Sequence, residues 1–140
     1  MPDCIFCKIA SHDIPAKVVW EDDETIAFLD IHPLATGHTV LISKTHAATV
    51  TELPRHAVSP LFIAVQKVTG MIERVLQPEG FNIGWNHGEA GGQAVGHLHV
   101  HVIPRWKGDG GGSMHSIVRN PPRESLDEIW EKLKAVHNNK

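Results

Sequence analysis

The sequence predicts an α+β fold: a five-stranded antiparallel sheet carrying one long helix on one face, with a further helix near the C-terminus. Three observations predict it. Five short β-rich runs are bounded by turn-forming residues, and the first two are separated by a hairpin signature. One stretch of helical apolar spacing lies between the third and fourth runs. The fifth run alternates histidine with aliphatic residues, which is the period of a strand.

Taken in order, residues 17–20 and 25–30 are the first two runs, with Glu21-Asp22-Asp23-Glu24 as the turn between them. Residues 38–43 follow the turn-rich Pro33-Leu34-Ala35-Thr36-Gly37 and form the third. Ser59-Pro60 then opens the long helix, with serine as N-cap and proline at the first helical position. Leu61, Val65, Val68, Ile72 and Leu76 keep its apolar face. Gly70 weakens it by about 1 kcal/mol relative to alanine, and Gln77-Pro78 ends it. Residues 81–86 and 97–103 are the fourth and fifth strands. Gly108-Asp109-Gly110-Gly111-Gly112-Ser113 is a flexible break. It is not a phosphate-binding P-loop, since no Gly-Lys-Ser/Thr follows. Ser125-Leu126-Asp127-Glu128 is a capping box that starts a helix through about residue 136. Leu126, Ile129, Trp130, Leu133 and Val136 make its apolar stripe.

With 140 residues the chain has room for one domain with a core. Residues 1–106 carry the sheet, and residues 107–140, the glycine-rich segment and last helix, belong to the same domain. Thirteen basic against sixteen acidic residues give a net charge of −3. That balance offers no field for nucleic acid, so an anionic ligand must be caught by local donors. No apolar run is long enough to span a membrane and no signal peptide is visible, so a cytoplasmic protein is expected.

The chemistry is concentrated in His97-Leu98-His99-Val100-His101-Val102-Ile103. On a strand the three imidazoles share one face, and Leu98, Val100 and Val102 share the other. Residues two apart are about 6.6 Å distant along a strand and residues four apart about 13 Å. The outer pair cannot easily share one ion, so at least one histidine serves nucleophilic or acid–base chemistry. The run Asn86-His87-Gly88-Glu89-Ala90-Gly91-Gly92-Gln93-Ala94-Val95-Gly96 leads into it. Its glycines permit close approach of backbone N–H groups to an anion. Asn86 and Gln93 add neutral donors at its ends, a combination suited to a phosphate ester. Cys4 and Cys7 form one C-x-x-C, which in the cytoplasm means metal or redox chemistry. A zinc site would need two more ligands.

The segment from Gly92 to Ile103 resembles the signature of the histidine triad family of nucleotide hydrolases and transferases, matching His-φ-His-φ-His-φ-φ in full. Residues 14–23, 28–33 and 37–42 also resemble family segments, in the family's order, and the likeness covers roughly residues 3 to 105. The resemblance implies a HIT-like fold with His99 as nucleophile. It places His101, Gln93, Asn86 and the Gly92 region as phosphate donors, with His38 beside the catalytic ring. It implies Asp30 as acceptor for the ribose hydroxyls. Phe6, Phe28 and Ile31 then form an apolar slot for a purine or pack as simple core, the two readings standing even for Phe28. In members that open with two such cysteines, a structural Zn2+ joins positions equivalent to Cys4, Cys7, His46 and His97. A homodimer through the long helix and a sheet edge is also implied. The chain departs from the family at Ala94, where serine or threonine is frequent. The side-chain hydroxyl donor is lost and only the backbone N–H remains.

Three readings follow. The first is a hydrolase or transferase acting at the α-phosphate of a purine nucleotide through a nucleotidyl-histidine. A nucleoside phosphoramidase leads within it, and a dinucleoside polyphosphate hydrolase is the rival. The second is a non-catalytic nucleotide-binding regulator. The third is a zinc-dependent interaction module.

Overall fold

The computed structural model describes residues 3–138. The chain divides into two compact units, with the boundary in sequence between Gly110 and Gly111. The first holds α1 (Ile5–Ala10), β1 (Val18–Glu21), β2 (Thr25–Leu29), β3 (Thr39–Ser43), α2 (Arg55–Leu76), β4 (Gly80–Gly84) and β5 (His99–Arg105). The strands make one antiparallel sheet in the order β1-β2-β3-β5-β4. Asp22 sets the β1–β2 turn, its Oδ1 accepting the N–H groups of Glu24 and Thr25 at 2.9 and 2.8 Å.

Register decides which residues meet. Leu41 faces Val100, while Val40 faces His101 and Ile42 faces His99. Directly opposed residues share a face. One face carries Ala27, Leu41, Val100 and Val102 and packs beneath Ala57, Leu61, Ala64, Val68 and Ile72 of α2. Each fully buried branched aliphatic there contributes about 1.5–3 kcal/mol. The other face carries Ile26, Phe28, Val40 and Ile42, covered in part by Ile9 and Phe6 of α1. His99 and His101 stand on this second face, so the histidines are backed by an aliphatic core through their own strand.

Helix α2 begins at Arg55, four residues before the expected Ser59 cap, and Pro60 lies inside it. Ala57 is buried with Leu61 and Ala64 on the same stripe, so the earlier start adds core contact. Pro60 removes only one backbone hydrogen bond near the helix start. Val65 is only partly buried and Leu76 is 37% exposed, so the buried stripe is Ala57, Leu61, Ala64, Val68 and Ile72. Strand β5 starts at His99, not at His97, which frees the His97 ring from the strand's alternation. Strand β4 is shifted toward Gly80. The short helix α1 carried no apolar periodicity long enough to read.

In the second unit, a 3-10 turn at Met114–Ser116 precedes α3 (Leu126–Asn138). The capping box forms as expected: Ser125 Oγ accepts the Glu128 N–H at 3.1 Å, and Glu128 Oε1 accepts the Ser125 N–H at 3.2 Å. Leu126, Trp130, Leu133 and Val136 are solvent-exposed. Among the described residues no helix is long and apolar enough to cross a membrane.

Candidate active site

His99 is buried, and its Nδ1 lies 2.7 Å from the carbonyl oxygen of His97. A carbonyl only accepts, so Nδ1 carries a proton, and in the neutral ring Nε2 is the nitrogen with a bare lone pair. Phe6 meets the His99 ring edge-on at 5.0 Å, and the His101 ring lies 5.1 Å from it, also edge-on.

The protons of the neighbouring rings follow by the same reasoning. His38 is buried and its Nδ1 accepts the Leu34 N–H at 3.1 Å, so its proton sits on Nε2. That Nε2–H donates to His101 Nδ1 at 2.9 Å. The proton of His101 is therefore on Nε2, which has no partner among the described residues. Asp30 Oδ2 lies 3.5 Å from His38 Nε2 and 3.9 Å from His101 Nδ1. Its Oδ1 accepts the His32 N–H at 2.8 Å. Burial holds both His38 and His101 below the ordinary histidine range, outweighing the Asp30 charge. The pair is thus a chain of neutral rings that ends in a donor beside a bare nucleophile.

A second cluster joins α1 to the start of β5. His97 is fully buried, and its Nε2–H donates to the Ser43 carbonyl at 2.8 Å. Its bare Nδ1 lies 3.3 Å from Cys4 Sγ, 3.6 Å from Cys7 Sγ and 3.2 Å from His46 Nδ1. Cys7 Sγ is 3.2 Å from His46 Nδ1. Tetrahedral zinc bond lengths put two nitrogens about 3.3 Å apart and nitrogen and sulfur about 3.6 Å apart. The four donor atoms fit that ion in chemistry and spacing. Burial lowers the His97 pKa to about 4, keeping the ring neutral as a ligand must be. Burial also raises the Cys7 thiol, with Cys4 adding to the rise, so without a cation the Cys7 thiol resists ionisation.

Asp30, His38 and His101 also converge closely enough for an ion. Their hydrogen bonds argue against one. A ligating imidazole donates its far N–H to an acceptor. His38 instead accepts at Nδ1, so its Nε2 offers a proton and not a lone pair.

The expected site residues divide by where the structure places them. Three imidazoles on one strand face were expected, but β5 starts at His99, so His97 lies outside it with Nδ1 toward the cysteines, while His99 and His101 remain together. Gln93 does not present its amide to an anion. Its Nε2 donates to the carbonyls of Ala48 and Val95 at 2.7 and 3.0 Å, and its Oε1 accepts the Gly88 N–H at 2.8 Å. Phe28 is a core residue, 5% exposed, and reaches the site only as the floor for Phe6, 5.6 Å away. Ile31 is 83% exposed. Asn86 lies against Gly92, whose φ of +93° suits glycine, and a Cβ there would stand 3.7 Å from the Asn86 side chain. Ala94 is exposed in the same loop.

A cleft of ≈ 370 Å³ opens beside Asp30 and His38, lined also by Leu29, Pro33, Leu34 and Thr36. The turn at 33–37 read only as a connection in the sequence, yet it supplies both this wall and the Leu34 N–H. A backbone donor leaves no mark in sequence. The proline and glycine that shape the turn were the available signal.

Comparison with known proteins shows the family and the fold. The HIT domain pattern matches residues 11–108. An uncharacterized HIT-like protein of Methanocaldococcus jannaschii is 40% identical over 132 residues, covering 94% of this chain and 99% of its own length. An adenosine 5'-monophosphoramidase of Schizosaccharomyces pombe is 40% identical, over 73% of this chain and 74% of the relative. An adenylylsulfatase of Arabidopsis thaliana is 36% identical over 76% of this chain and 54% of its own. The crystal structure of a HIT family protein from Bacillus anthracis superposes with a TM-score of 0.85 at 33% identity, covering 99% and 97% of the two chains. A zinc-bound histidine triad family protein from Mycobacterium smegmatis gives 0.73 at 35% identity, covering 96% and 98%. With the pattern spanning most of the chain and relatives this similar, the chain belongs to the HIT domain family.

Proposed function

We propose that the chain is a nucleotide hydrolase or transferase that cleaves at the α-phosphate of a purine nucleotide, acting foremost as a nucleoside phosphoramidase. The hydrogen bond from His99 Nδ1–H to the His97 carbonyl carries the reading, because it leaves Nε2 bare on a rigid strand. His99 Nε2 attacks phosphorus, and the bond to the leaving group breaks with its electron pair. The resulting nucleotidyl-imidazole bears positive charge, which the His97 carbonyl dipole stabilises through Nδ1–H. An amine leaves only once protonated: a water held by His101 Nε2–H gives it the proton, and His101 keeps its own. The hydroxide left behind attacks phosphorus, the phosphorus–Nε2 bond breaks, and the His99 ring returns neutral.

Asp30 suits the ribose hydroxyls, since a carboxylate only accepts. The loop at Asn86–Gly96 supplies backbone donors to the phosphate, and Phe6 and Ile31 flank the base. Zn2+ held by Cys4, Cys7, His46 and His97 would act structurally, tying α1 to β5. Exposed Ile63 and Val75 on α2 and Ile83 on the edge strand β4 support a homodimer joined there. The phosphoramidase relative supports an amine leaving group. Ala94 and the adenylylsulfatase relative favour a second reading, in which the leaving group departs as a stable anion.

Rapid mixing with a substrate labelled on the adenosine phosphate should release one burst of leaving group and trap label on His99. His99→Asn should abolish turnover and leave AMP affinity within about twofold, since it removes an interaction made only during reaction. Equal turnover by the variant and the parent would end the enzyme reading.

A further inference from the structure

We infer that Gln93 is the positioning residue of the phosphate loop, a brace and not a ligand, an inference resting on the nucleotide-cleaving role proposed above. Its side chain has two N–H donors, and both are occupied by the carbonyls of Ala48 and Val95. Its Oε1 takes the Gly88 N–H, and its own backbone N–H donates to the Gly88 carbonyl at 3.0 Å. Gln93 and Gly88 therefore bond in both directions and close the turn between them. Gly91 and Gly92 spend their N–H groups inside the same turn, on Gly88 and Glu89. The free backbone donors come next: among the described residues, nothing accepts from the N–H groups of Ala94, Val95 or Gly96.

The anchor point explains the design. Ala48 lies in a three-residue segment where each member fixes a different part of the site. His46 faces the cysteines, the Ala47 carbonyl accepts the Leu98 N–H at 2.8 Å at the entrance to β5, and the Ala48 carbonyl holds Gln93. Gln93 is the side chain that ties the loop to that segment. It sets the distance between the free N–H groups and His99 without touching substrate.

Two measurements test this. In labelled wild-type protein, the Gln93 side-chain NH2 resonances should be protected from exchange and should stay in place when AMP is added, while the Ala94–Gly96 amides move. Gln93 resonances that shift with the loop amides would make it a direct phosphate ligand and overturn the inference. Gln93→Glu keeps the acceptor but sets an oxygen against two carbonyls, and Gln93→Met keeps the length without either function. Both should speed exchange of the Gly88 amide and lower kcat/KM by about a hundredfold, the scale of a misplacement near 1 Å. AMP affinity should fall about tenfold, one hydrogen bond's worth, with adenosine affinity unchanged. Equal losses for AMP and adenosine, or wild-type values for both, would overturn it. The exchange and binding arms need no turnover, so an inactive wild type would count against the hydrolase reading alone.

Discussion

The His97 ring donates Nε2–H to Ser43 and turns Nδ1 toward the thiols, while its carbonyl takes the Nδ1 proton of His99. One residue thus belongs to the metal-type cluster through its side chain and to the nucleophile through its backbone. Such double use is why histidine spacing alone suggested a single row. Ala94 is the other residue whose chemistry is decided by a single atom. With Gln93 committed to carbonyls, no side-chain donor from these two positions reaches a leaving atom. Ala94→Ser restores a hydroxyl. It should raise kcat/KM for an alkylamine phosphoramidate by about 10–100-fold, the weight of one donor aimed at developing charge. Substrates whose leaving group departs as a stable anion should change little. Steady-state rates across leaving groups of graded basicity check this, and a uniform change across the series would refute it.

At the scale of elements, α1 stands on the cysteines and on Phe6. Cys4 caps the helix, its sulfur accepting the Cys7 N–H at 3.3 Å, and Phe6 projects from the same turn onto His99. Cys4→Ser should reduce bound zinc from about one ion per chain to a small fraction, measured by metal analysis after dialysis. It should also lower Tm and broaden the His99 ring resonances; full zinc content in the variant would exclude Cys4 as a ligand. The turn before β3 depends on Gly37, whose φ is +86° and whose added Cβ would run into the Leu76 side chain. Gly37→Ala should cost about 1–3 kcal/mol, read by urea denaturation. Much of this architecture was legible. The alternation of Leu98, Val100 and Val102 gave β5 and its backing, and the spacing from Leu61 to Ile72 gave α2. The start of α2 was not legible, because Ser59-Pro60 imitates a helix start and Ala57 is too small to signal burial. Nor was α1, whose six residues are fixed by contacts from Cys4, Cys7 and Phe6 to parts distant in sequence. In the site, residue types were legible and orientations were not. Gln93 looks like a donor until its partners are known, and the Leu34 N–H that sets the His38 proton is invisible in any side-chain pattern.

For the whole molecule, the common thread is neutral imidazole held away from water. Burial holds His38, His97 and His101 below their ordinary pKa, His97 at about 4. In the unfolded chain the same rings take up protons near pH 6.5. Between that pH and each lowered value the unfolded state binds more protons than the folded one, so stability rises with pH there. The contribution of these rings is complete above about pH 6.5 and is lost as pH falls through the folded values. Metal at His97 would steepen the loss, because protons then compete with the ion as well. Activity should follow the same direction. The His38–His101 pair stays neutral below the usual histidine range, so the acid limb of kcat/KM should lie on the acid side of pH 6.5. Thermal melts from pH 8 to pH 4 should show a plateau above neutrality and a fall beginning near pH 6.5, and Asp30→Asn should carry the acid limb further down. The last shift has a definite sign: the Asp30 charge favours the protonated rings, so removing it favours the neutral ones. A limb that moved upward in that variant would mean that protonated His101, and not the neutral pair, is the working form.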